Sequence, residues 1–137
     1  MSYTIKTPAD VIKNWTKYRP FVAKACAKDP TGQTTAGAIY SAIMHNRLAL
    51  GTISKGDKLK GVFVYAVHAS EQQLYIVSLA CDGFLEETDS FDTYLQTLAK
   101  SLGLSSILMT SRPGFYKLLK PRGYKQRHII LEKRLDQ

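Results

Sequence analysis

The chain has 137 residues, of which 45% are hydrophobic, with a formal net charge of +8 and two cysteines. That suffices for one domain, residues 1–137, with a single core and no need of a disulfide or metal staple. No run nears the roughly 18 apolar residues of a membrane span, and Met1-Ser2-Tyr3-Thr4-Ile5-Lys6 lacks the apolar stretch of a secretion signal, so a cytoplasmic protein without a membrane partner is expected.

The elements follow in order. Thr7-Pro8 reads as an N-cap with proline in the first turn, and Val11, Ile12, Trp15 and Tyr18 continue at helical spacing. Pro20 is expected to break or kink that helix, with Phe21, Val22, Ala25 and Cys26 forming a second short apolar face. Asp29-Pro30-Thr31-Gly32 is a turn. Ala36, Ile39, Tyr40, Ile43, Met44 and Leu48 line another amphipathic helix starting from Thr35. The lysine-rich stretch from Gly51 to Gly61 reads as a loop, with at most a short edge strand around Leu50 to Ile53.

Gly61–Val67 and Gln73–Leu79 are rich in β-branched and aromatic residues and flank Ser70-Glu71-Gln72, the pattern of a hairpin. Phe91, Tyr94, Leu95, Leu98, Ala99 and Leu102 then form one helical stripe, with Asp89 or Ser90 to cap its start and Gly103 to end it. A strand at Ser105–Thr110 is expected parallel to Gln73–Leu79, followed by a short helix around Phe115 and a returning strand, Lys125–Leu135. Cys26 and Cys81 lie far apart without C-x-x-C spacing. They read as small hydrophobes of a reducing compartment, not as a metal pair, disulfide or nucleophile.

Charge is unevenly spread. Arg112 to Arg134 holds eight Lys or Arg and one acid, Glu132, whereas Asp82, Glu86, Glu87, Asp89 and Asp92 stand together without a base. A basic C-terminal face suits an anionic cofactor, nucleic acid, an acidic protein or plain solvent. An acidic patch beside a basic one also invites self-association.

In this order of elements the chain resembles the GNAT acyltransferase fold. The resemblance implies an α/β (α+β) domain with N-terminal helices and a mixed, mostly antiparallel sheet containing one parallel βαβ crossover. It also implies acetyl-coenzyme A between the two parallel strands, and a Q/R-x-x-G-x-G/A loop whose backbone N–H groups hold the diphosphate. The matching segment, Cys81-Asp82-Gly83-Phe84-Leu85-Glu86-Glu87-Thr88-Asp89-Ser90, has one glycine, no basic residue and four acids. Like charge there costs on the order of 1 kcal/mol per contact. The family's general-acid tyrosine finds its nearest counterpart in Tyr116, although counting back four residues from Gly123 lands on Leu119.

A narrower resemblance is to small GNAT-like proteins of tailed phages, carried by Trp15, the Asp82-Gly83 turn, Arg112-Pro113-Gly114-Phe115 and Glu132-Lys133-Arg134-Leu135. It implies a non-catalytic virion, assembly or host-interaction protein without a cofactor, meeting a protein partner through Arg112, Phe115, Lys120, Arg122, Lys125 and Arg127. The alternative is an N-acyltransferase with an atypical acetyl-coenzyme A site at Leu79, Cys81, Arg112 and Lys117. A third reading is nucleic-acid binding by the basic 112–134 face.

Overall fold

The structure is a computed structural model that describes residues 1–28, 34–109, 113–126, 133 and 135, without the side chains of residues 85 and 113–115. Its frame is one five-stranded sheet in the order β1 (Ser2–Lys6), β2 (Ala49–Lys55), β3 (Lys58–His68), β4 (Gln73–Cys81) and β5 (Ser106–Met109). The first three pairings are antiparallel and β4–β5 is parallel. Helix α4 (Phe84–Ser101) makes the crossover between the two parallel strands, as the sequence pattern requires.

Two helical layers cover the sheet. On one face α1 (Pro8–Lys13), α2 (Trp15–Ala27) and α3 (Ala36–Met44) bury Val11, Tyr18, Val22, Ile39 and Ile43 against Leu50, Val62 and Val64. On the other, α4 packs Phe91, Leu95 and Ala99 against Ile53, Phe63, Leu74 and Ile76. These are the residues of the predicted stripe. Its last member, Leu102, falls at the helix C-cap and is exposed.

The N-terminal helices differ from expectation in where they break. Thr7 caps α1 by accepting from the Asp10 N–H at 3.2 Å, as predicted. The break comes at Asn14, and Pro20 lies inside the continuous α2. Asn14 donates its side-chain amide back to the Asp10 carbonyl and carboxylate at 3.1 and 3.0 Å, which closes α1 on itself. Pro20 removes one N–H near the start of α2. The carbonyl it would have served belongs to Thr16 on the exposed side, where water can replace the bond.

The stretch read as a loop is a second hairpin. Lys55 pairs with Lys58 across a two-residue Gly56-Asp57 turn in which Gly56 has φ +60°. Glycine at the first central position supplies the positive φ that a tight hairpin needs. Strand β1, also unforeseen, adds an edge to β2. Helix α4 begins at Phe84, not at Asp89 or Ser90, so Glu86, Glu87 and Asp89 fall in its first two turns. Helix α5 (Pro113–Leu119) follows β5, and the predicted strand Lys125–Leu135 lies largely outside the described residues.

Candidate functional site

The feature that organises the site is a parting of β4 from β5. Their ladder runs from Gln73↔Ser106 to Ile76↔Met109 and ends there, while β4 continues to Cys81. On its other side β4 remains paired to β3 throughout, from His68↔Gln73 to Gly61↔Cys81. The edge of Val77–Cys81 toward β5 therefore has no strand partner among the described residues.

A bulge marks the parting point. Val64 faces Ser78 and Tyr65 faces Ile76, so Val77 is an extra residue without a counterpart in β3. A bulge of this kind bends the strand and adds local twist, which carries β4 away from the straight course of β5. It also shifts the alternation. Leu74 and Ile76 pack toward α4, Val77 packs toward α1–α3, and beyond the bulge Leu79 and Cys81 pack toward α4 again. Ser78 thus shares the α2 side of the sheet with Val77. Gly61 holds the end of the strand close, because a Cβ there would collide with the Ala80 carbonyl and with Cys81.

The turn leaving β4 opens the other end of the site. The Asp82 N–H bonds the Lys60 carbonyl at 2.8 Å, Gly83 takes φ +70°, and α4 starts at Phe84 with no side chain capping it. Lys24 of α2 approaches Asp82 at 3.8 Å, both about half exposed. Glu86 and Glu87 lie in the first turn of α4, where acids complement the positive helix end.

The predicted residues are distributed as follows. Leu79 and Cys81 are half-buried on the free stretch of β4. Burial, then the carboxylates of Asp82 and Glu87, pushes the Cys81 thiol pKa up, so it is not an activated nucleophile. Tyr116 is half-buried and Lys117 exposed on α5, the helix that follows β5. Lys120 and Lys125 are exposed. Arg122 is engaged within the fold: it pairs with Asp89 of α4 and donates to the Leu118 carbonyl. Arg112, Arg127 and the side chain of Phe115 lie outside the described residues.

Two relationships escaped the sequence reading. Tyr124 donates to Asp92 at 2.8 Å, and Gln96 donates to the same carboxylate at 3.0 Å, a buried acid held by two neutral donors. Burial and this bond together raise the Tyr124 pKa. The second is Ser78, whose buried Oγ has no hydrogen-bond partner among the described residues. Among the described residues no group of three or more His, Cys, Asp or Glu could hold a metal ion, and no helix is long and apolar enough to cross a membrane.

No protein-family model matches the sequence, and no curated protein matches it. Solved structures do match. A probable acetyltransferase superposes with a TM-score of 0.72 at 8% identity, covering 98% of this chain and 97% of that one. The ribosomal-protein-alanine N-acetyltransferase of Brucella melitensis biovar Abortus 2308 gives 0.69 at 8% identity, covering 98% and 100%. The aminoglycoside N-acetyltransferase AAC(6')-Iy, in complex with CoA, gives 0.67 at 9% identity, covering 97% and 93%.

These matches overturn the expectation of a non-catalytic phage-type protein. Several of the structures that share the fold over nearly their whole length are acetyltransferases, and nothing in the likeness is specific to phage proteins. The expectation rested on the missing glycine-rich loop, on the absence of a tyrosine at the expected offset from Gly123 and on the uneven charge. The opening between β4 and β5, however, depends on strand register and a bulge, which that loop does not determine. Single-domain architecture, mixed sheet and parallel crossover are those of the GNAT acetyltransferase fold.

Proposed function

We propose that the protein is an N-acyltransferase that takes its acyl group from acetyl-coenzyme A or a close relative. The observation that carries the reading is the free edge of β4, Val77–Cys81, where the ladder to β5 has ended. Unpaired strand N–H and C=O groups in a cleft recognise an extended amide chain as they would another strand. The pantetheine arm, with its two amides, is such a chain. Leu79 and Cys81 would hold it through their backbones.

The fit is good for the arm and poor for the diphosphate. Asp82, Glu86 and Glu87 surround the turn where the fold's phosphate loop belongs, so the phosphates need cations from elsewhere. Lys117, exposed on α5, and Arg112 are the groups this reading assigns to them. When bound, the thioester supplies an activated acyl group. The acceptor amine forms the C–N bond, the C–S bond breaks with its electron pair on sulfur, and the nitrogen's surplus proton ends on the thiolate. Tyr116 is the hydroxyl assigned to deliver that proton.

The test is release of free thiol from acetyl-coenzyme A in the presence of amine panels, including aminoglycosides and peptides with N-terminal alanine. Amine-dependent thiol release supports the reading. Hydrolysis and transfer both at the no-enzyme rate across the panel would refute it.

A further inference from the structure

We propose that the Ser78 hydroxyl, beside the point where β4 and β5 part, is a catalytic hydrogen-bond donor to the carbonyl oxygen of the acyl thioester; this rests on the acyltransferase reading above. Ser78 Oγ is the one buried side-chain polar atom among the described residues that lacks a hydrogen-bond partner. Two other buried hydroxyls are provided for. Thr88 donates to the Phe84 carbonyl at 2.9 Å and Thr52 to the Thr4 carbonyl at 3.4 Å. A fold that satisfies those groups and leaves one unpaired calls for a reason, because an unpaired buried hydroxyl loses its water without return.

Its position supplies the reason. Ser78 directly follows the Val77 bulge, opposite Val64, and lies two residues beyond the last β4–β5 pair, Ile76↔Met109. It is therefore at the vertex where the strands separate. A chain running along the free edge of β4 from Cys81 inward ends against this residue. The reacting end of an acyl-pantetheine arm, not its phosphates, belongs at that depth.

The chemistry asks for a donor there. As the amine forms its C–N bond, negative charge develops on the carbonyl oxygen, and it disperses again when the C–S bond breaks and the pair leaves on sulfur. A fixed O–H in a site shielded from water stabilises that charge without reorganising. Backbone N–H groups of β4 lie along the strand edge. The bulge adds a side-chain donor from the α2 side.

The variants Ser78→Ala and Ser78→Cys, assayed beside the wild type, test this. Removing one such donor lowers kcat by about 100-fold, with KM for acetyl-coenzyme A near the wild-type value. Ser78→Cys, which keeps a weak donor, falls between the two. Without ligand, Ser78→Ala melts at or above the wild-type temperature, because alanine removes a buried group that has no partner. Wild-type kcat in a folded Ser78→Ala overturns the inference while leaving the acyltransferase reading intact. So does a lower unliganded melting temperature with unchanged kcat, which would make the hydroxyl structural. If the wild type itself neither binds nor turns over acetyl-coenzyme A, the acyltransferase reading fails and the role of Ser78 falls with it.

Discussion

Tyr124 donates its hydroxyl to Asp92 Oδ1 at 2.8 Å, and so fastens the chain that follows α5 to the middle of α4. The bond joins residues 32 positions apart across the flank of the cleft. Phe91, Leu95, Met109 and Leu119 line the same seam. Tyr124→Phe leaves the Asp92 carboxylate short of one donor and should cost about 2 kcal/mol in chemical denaturation. Arg122→Ala, which removes a pair whose Asp89 partner is largely exposed, should cost under about 1 kcal/mol.

Alkaline titration should weaken the fold through its tyrosines. Tyr18 donates to Asp10 at 2.9 Å, and burial followed by that bond pushes its pKa up to about 12 from the usual 10.0. Between those values the unfolded chain has lost the proton and the folded chain keeps it. Stability due to this proton is complete below pH 10 and is lost as pH rises toward 12. Melting temperature should fall across that window, and the Tyr18→Phe variant should show a shallower decline.

Gly51 and Phe63 predict a packing lesion. A Cβ at Gly51 would overlap the Phe63 ring, which is fully buried and makes edge contact with Phe91 at 5.3 Å between centroids. Gly51→Ala should therefore destabilise by about 1–3 kcal/mol through overpacking. An unchanged urea midpoint would show that the ring moves freely.

Tyr116→Phe separates catalysis from binding. If the hydroxyl protonates the leaving thiolate, kcat should drop by about 100-fold while acetyl-coenzyme A affinity stays. The loss should shrink as pH rises and the thiolate departs unaided. Equal kcat at pH 7 would remove Tyr116 from the reaction.

What was legible in the sequence follows the strength of each local signal. The α4 stripe from Phe91 to Ala99 and the hairpin of β3 with β4 were readable because burial imposes periodicity. The hairpin joining β2 and β3 was hidden by Lys55, Lys58 and Lys60 near its turn. Gly56-Asp57 is a turn signal that composition alone obscured. Pro20 misled because the cost of a helical proline depends on which carbonyl it abandons, and that carbonyl's exposure is a tertiary property. The cleft was the least legible part. Val77 is an ordinary strand residue in composition, and only the pairing of Val64 with Ser78 and Tyr65 with Ile76 makes it a bulge. Ser78 carries no sequence signal for the same reason: its lack of a partner is a fact of packing.

If the opening beside Val77–Cys81 receives the arm of an acyl-coenzyme A, thermal melting with and without acetyl-coenzyme A will register it. A ligand at about 100 times its dissociation constant adds about 2.7 kcal/mol, several degrees for a domain of this size. A rise of that order, retained with pantetheine-containing fragments and absent with adenosine diphosphate alone, is the predicted result. An unchanged melting temperature at millimolar acetyl-coenzyme A would contradict the account.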